Sequence, residues 1–148
     1  MYVAIIIIFR AYLKGKIITR EKDSAIGKLN ILSFGVNKYA DVDGEQPTIH
    51  AEHDAILKLP SLKKKKNNES INILVLRFSK TSKLGMSKPC IKCIEKMQTI
   101  PHKKGYKIEN VYYSDNDGNI VKTTLSKLIN EDVQHYSRYY KKNKQIKY

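Results

Sequence analysis

The chain has 148 residues, 41% of them apolar, and a formal net charge of +14. That is one domain's worth of chain, with enough apolar content for an ordinary core, which excludes a disordered or collagen-like polymer. Two cysteines exclude a disulfide scaffold, and lysine outnumbers arginine 24 to 4, so the charge is not by itself a nucleic-acid signature, because arginine is the better bidentate phosphate ligand.

In chain order, Met1–Leu13 reads as a strand. Its run Val3-Ala4-Ile5-Ile6-Ile7-Ile8-Phe9 is β-branched and aromatic. It lacks the flanks of a signal peptide and falls far short of the ~20 residues of a membrane span. The expectation is a protein without a membrane segment. Lys14–Lys28 reads as a loop or hairpin, Leu29–Val36 as a second strand, and Asn37–Pro47 as a loop with a turn at Asp43-Gly44. A helix is predicted from Thr48, as N-cap, to Leu59, with Pro60 as its stop and Ala51, Ala55, Ile56 and Leu59 on its inner face. The run Lys63–Lys66 reads as a solvated loop tip, with nucleic-acid contact as the lesser reading.

Ile71–Phe78 is nearly all apolar and suits a strand covered on both faces. Ser79–Lys88 is a loop. Pro89 opens a helix on which Cys90, Cys93, Ile94 and Met97 recur at helical spacing; Pro101 is expected to end it. Lys107–Ser114 and Asn119–Thr124 are strands joined by the turn Asp115-Asn116-Asp117-Gly118, too short for anything but an antiparallel pair. Leu125–Asn130 begins a helical tail, and 131–148 is basic and tyrosine-rich. This order predicts an α/β protein: a three-layer α/β/α sandwich around one mixed five-stranded sheet, with the domain at 1–125 and a partly helical tail at 126–148.

Both cysteines sit in Pro89-Cys90-Ile91-Lys92-Cys93, and His50-Ala51-Glu52 lies upstream. A C-x-x-C pair in a reducing, cytoplasmic compartment reads as metal or redox chemistry. Two thiolates and an imidazole are three zinc ligands, leaving a tetrahedral Zn²⁺ one open position for water. Glu52 is then placed to handle that water's protons. The plainer readings are a structural or redox C-x-x-C, a Cys₂His₂ site completed by His53, and two free thiols. His102 and His135 carry no ligand spacing and read as exposed loop and tail residues.

These residues resemble the cytidine and deoxycytidylate deaminase superfamily, over about 90 residues from the strand before Asn37 to the strand after Gly118. The matching parts are Ile49-His50-Ala51-Glu52 with Ala55-Ile56, and Pro89-Cys90 with Cys93. The resemblance implies Zn²⁺ held by His50, Cys90 and Cys93, with Pro89 in support. It implies Glu52 as proton shuttle for water attacking C4 of a cytosine nucleoside or nucleotide, releasing ammonia. It also implies substrate contacts at Gly35, Asn37 and the Ala51 amide, and a homo-oligomer. The hairpin Val111–Thr124 is similar to that of the free-nucleoside enzymes, whereas Tyr39 stands where they carry a ribose-binding glutamate. Lys88 or Arg138 as a phosphate ligand would favour deoxycytidylate. A nucleic-acid deaminase or binder, and a zinc scaffold without activity, are the alternatives.

Overall fold

A computed structural model describes residues 3–10, 30–39, 47–63 and 68–131. The strands are β1 (Val3–Arg10), β2 (Asn30–Val36), β3 (Lys38–Tyr39), β4 (Pro47–Ile49), β5 (Glu69–Phe78), β6 (Tyr106–Ser114) and β7 (Ile120–Thr124). The helices are α1 (Ala51–Lys58), α2 (Ile91–Lys103) and α3 (Leu125–Ile129). The fold is α/β around one mixed five-stranded sheet in the order β2-β1-β5-β6-β7. β5 and β6 run parallel, joined through α2 as a crossover of that kind requires, and the other pairs are antiparallel. The apolar start of the chain is β1, flanked by β2 and β5.

Alternation along the strands sends Ile6, Ile8, Ile73, Val75 and Val111 to one face, where all are buried. α1 and α2 pack there, touching each other, and α3 touches α2. Ala51, Ala55, Ile56 and Leu59 are buried as the helical spacing predicts. The opposite face carries Ile5, Ile7, Leu74 and Leu76, all half-buried. Among the described residues no helix covers that face, so the layering visible here is helices on one side of the sheet. The segments 11–29 and 132–148, with the predicted hairpin, His135 and most of the tail, lie outside the described residues. α3 buries Leu125 and Leu128.

Five local expectations are corrected. Thr48 is not the cap of α1: Pro47–Ile49 pairs with Lys38–Tyr39 as a small second sheet, and His50 is the N-cap. Two residues of what reads as a loop, Lys38 and Tyr39, are therefore strand. Pro89 lies outside α2, whose N-cap is Cys90. Pro101 does not end α2, which continues to Lys103, and its ring is buried in the core. A proline in a last turn sacrifices one backbone bond, and burial offsets that loss. The real stop is Gly105, whose φ of 95° closes the helix in the left-handed conformation. His102 is thus on the helix, not in a loop.

Lys104 joins the two helices at this end. Its ammonium donates to the carbonyls of Ile56, Leu57 and Leu59 at 3.1, 2.7 and 2.7 Å. Those are carbonyls at the C-terminus of α1, where a cation is favoured; the Ile56 carbonyl also accepts from the Leu59 N–H.

Asp54 fixes the other end of α1. Its buried carboxylate accepts from the Val36 N–H at 3.1 Å and pairs with Lys38 at 3.0 Å and Lys58 at 2.7 Å. Burial pushes its pKa up; Lys58, Lys38 and the Val36 amide outweigh that and hold it at about 2. The folded pKa lies below the free value of 3.8. The stabilisation is therefore complete above about pH 5 and lost as pH falls from about 4 through about 2. With half-exposed lysines screening the pairs, it amounts to about 1–2 kcal/mol. Asp54→Asn is expected to melt below wild type at pH 7, with the gap closing between pH 4 and 2. A constant gap across that acid titration would contradict the assignment.

Candidate metal centre

The N-cap residues of the two helices meet. His50 caps α1 and Cys90 caps α2, and neither side chain makes a capping hydrogen bond. One turn into α2, Cys93 joins them. His50 Nδ1 lies 3.3 Å from Cys93 Sγ and 3.6 Å from Cys90 Sγ. The three ligand atoms all fall within 4.8 Å of one another. A tetrahedral ion with Zn–S near 2.3 Å and Zn–N near 2.0–2.1 Å sets sulfur–nitrogen edges of about 3.5 Å. The observed edges and the soft two-sulfur, one-imidazole donor set fit such an ion.

The three side chains share protons among themselves. The Cys93 thiol donates to Cys90, which holds Cys90 well below the ordinary thiol range despite its burial. The same bond, with burial, pushes Cys93 up. Cys90 in turn holds the His50 imidazole above its usual value against the pull of burial. A divalent cation would displace the shared protons and take both sulfurs as thiolates.

Glu52 is 8% exposed. Burial pushes its carboxyl up, and the nearby Cys90 adds to this. Its own backbone amide, His50 and the Cys93 thiol pull the other way. Glu52 thus lies against the cluster without being one of its three members. His53 is not among them either. Its Nδ1 is 2.9 Å from Lys96 Nζ, and burial first, then Lys96, holds its pKa down.

Gly35 presses directly on the first turn of α1. A Cβ there would lie 2.3 Å from the Ala51 carbonyl oxygen and 2.5 Å from the Ala55 nitrogen. Those are backbone atoms that cannot give way. Gly35→Ala is expected to cost about 3 kcal/mol and to weaken metal binding at the cluster, because α1 must move and His50 moves with it. Normal melting and undiminished metal binding in that variant would show that the close approach is not needed.

Asn37 lies at the end of β2, where its Oδ1 accepts from the Ala4 N–H at 3.1 Å. Ala51 is buried under Gly35. Pro89 is fully buried, next to Cys90. Lys88 pairs with Glu131, and Arg138 is outside the described residues.

A buried serine pair, not visible in the sequence, seats the cysteine loop. Ser87 Oγ accepts from the Ser114 N–H at 2.7 Å and donates to the Val75 carbonyl at 2.7 Å. Ser114 Oγ donates to the Gly85 carbonyl at 2.6 Å. Together they tie residues 85–87 to the ends of β5 and β6, three residues before Cys90. Only the strand pairing brings these serines together.

Among the described residues no helix is long and apolar enough to cross a membrane. No family model, curated protein or solved structure matches this chain.

Proposed function

We propose that the chain is a zinc-dependent hydrolytic deaminase acting on a cytosine nucleoside or nucleotide. The carrying observation is the convergence of His50, Cys90 and Cys93 with a buried carboxylate, Glu52, beside them and outside the ligand set. A structural zinc site closes all four positions, and a glutamate against its thiolates would be a liability. Three ligands and an adjacent carboxylate instead leave room for a water and a group to move its protons.

His50, Cys90 and Cys93 would hold the ion, which when bound supplies Lewis-acid activation of water. Two thiolates and a neutral imidazole cancel its charge, and both helix N-termini add partial positive charge beside them. Glu52 takes a proton from the attacking water, gives one to ring N3, and assists loss of the amino group. The balance is one water consumed and one ammonia released, with the C4 amine replaced by a carbonyl. Burial favours a protonated Glu52 and the cation favours the carboxylate; a proton shuttle needs access to both.

The antiparallel β6–β7 pair supports a free nucleoside as substrate, through the likeness of this hairpin to the free-nucleoside enzymes. Asn37 is the candidate sugar ligand, at the cost of its bond to Ala4. Turnover in ¹⁸O-water tests the reaction class: labelled oxygen at C4 of the product is expected. Unlabelled product, or ammonia lost without a C4 carbonyl, would overturn it.

A further inference from the structure

A cleft of about 340 Å³ lies between α2, α3 and the first residues of β6. Met97, Ile108 and Leu125 form its apolar floor, and Asn68, Gln98 and Ser126 supply polar groups at its sides. His102 is twelve residues beyond Cys90 on the same helical run, about 18 Å along its axis. The His102 end of the cleft is therefore remote from the metal centre, while Met97, on its floor, lies one turn beyond Cys93.

The rim carries lysines. Lys107 lines the cleft beside His102, and exposed Lys103 adjoins them. Lys63 is brought to the same end by the bond from the Leu62 N–H to the Lys104 carbonyl at 2.9 Å. Of the acidic groups nearby, Glu69, Glu95 and Glu131 face Arg10, Lys92 and Lys88 respectively, while Glu109 is exposed two residues past Lys107. On the β7 side of β6, pairing reaches only Asn110↔Thr124, so no described strand flanks Tyr106–Glu109. A second copy of a +14 chain, or the chain's own basic residues 132–148, would meet like charge here.

We propose that this end of the molecule binds single-stranded nucleic acid, with one nucleotide's base in the cleft and the backbone along Lys63, Lys103 and Lys107. A cleft of this volume, lined about equally by apolar and polar groups, accepts a heteroaromatic ring that needs both, and the rim lysines take phosphates. The site does not rest on the deaminase reading.

The test is fluorescence anisotropy of a labelled 20-mer of RNA or single-stranded DNA with the full chain, across salt concentrations. Each phosphate contact contributes about 0.7 to the log–log salt slope for single strands. The double variant Lys103→Glu/Lys107→Glu should weaken binding at least tenfold and reduce the slope by about 1.4. The equal-charge control Lys80→Glu/Lys83→Glu, on the exposed turn after β5, should have less than a third of that effect in log units. Ser126→Tyr fills the cleft without touching charge and should weaken the oligonucleotide but not heparin. Equal losses in the two charge variants would mean diffuse attraction and overturn the proposal. So would unchanged binding in Ser126→Tyr, or heparin and oligonucleotide responding alike. Thermal melting and zinc content, unchanged in all variants, separate these outcomes from misfolding and from failure of the metal centre.

Discussion

Glu52→Gln is expected to lower deamination by about 10²–10⁴-fold while one zinc per chain stays bound. Glutamine has nearly the volume of glutamate, so the buried pocket is refilled. The metal set is complete without residue 52, since His50, Cys90 and Cys93 form the cluster. What disappears is a group that can take and return a proton. Activity and zinc analysis on the same preparation decide the matter. Loss of zinc with activity would make Glu52 a ligand, and retained activity would remove it from the chemistry.

Cys93→Ser is expected to lower zinc affinity at least 100-fold and the melting temperature with it. Cys93 is 2% exposed and its sulfur is 3.3 Å from His50 Nδ1. A serine hydroxyl does not ionise here and reaches the ion poorly. Even the outer hydrogen-bond partners of a zinc site are worth 10–100-fold in affinity, and a direct ligand is worth more. Because the ion binds the folded chain, a 100-fold loss of affinity removes up to about 2.7 kcal/mol of stabilisation. A chelator should bring wild type down to the melting point of the variant. A variant that keeps stoichiometric zinc and normal melting would displace Cys93 from the site.

The cluster of His50, Cys90 and Cys93 was legible in the sequence because its parts are local. His50 and Glu52 are two residues apart, and Cys90 and Cys93 are one helical turn apart, so each half announces itself by spacing. The helical faces of α1 and α2 were legible for the same reason, through Ala55, Ile56, Ile94 and Met97. The supports of the site were not, because each is a contact between distant segments. Gly35 looks like an ordinary strand glycine until α1 lies on it. Asp54 looks like a surface helix carboxylate until Val36 and Lys38 surround it. Ser87 and Ser114 are unremarkable polar residues until β5 and β6 pair. Pro101 reads as a helix stop because local rules weigh its missing N–H and not its burial. The place of β1 between β2 and β5 follows from no local pattern either. Lys104 closing the end of α1 is a further long-range contact of this kind.

Ammonia release from zinc-loaded protein is the most direct measurement of the function proposed here. The panel is cytidine, deoxycytidine, deoxycytidylate, adenosine, guanine, and short single-stranded DNA and RNA. Release from a small cytosine compound, abolished by Glu52→Gln, is the expected result. Silence across the panel with one zinc still bound per chain, or release only from a purine, would contradict it.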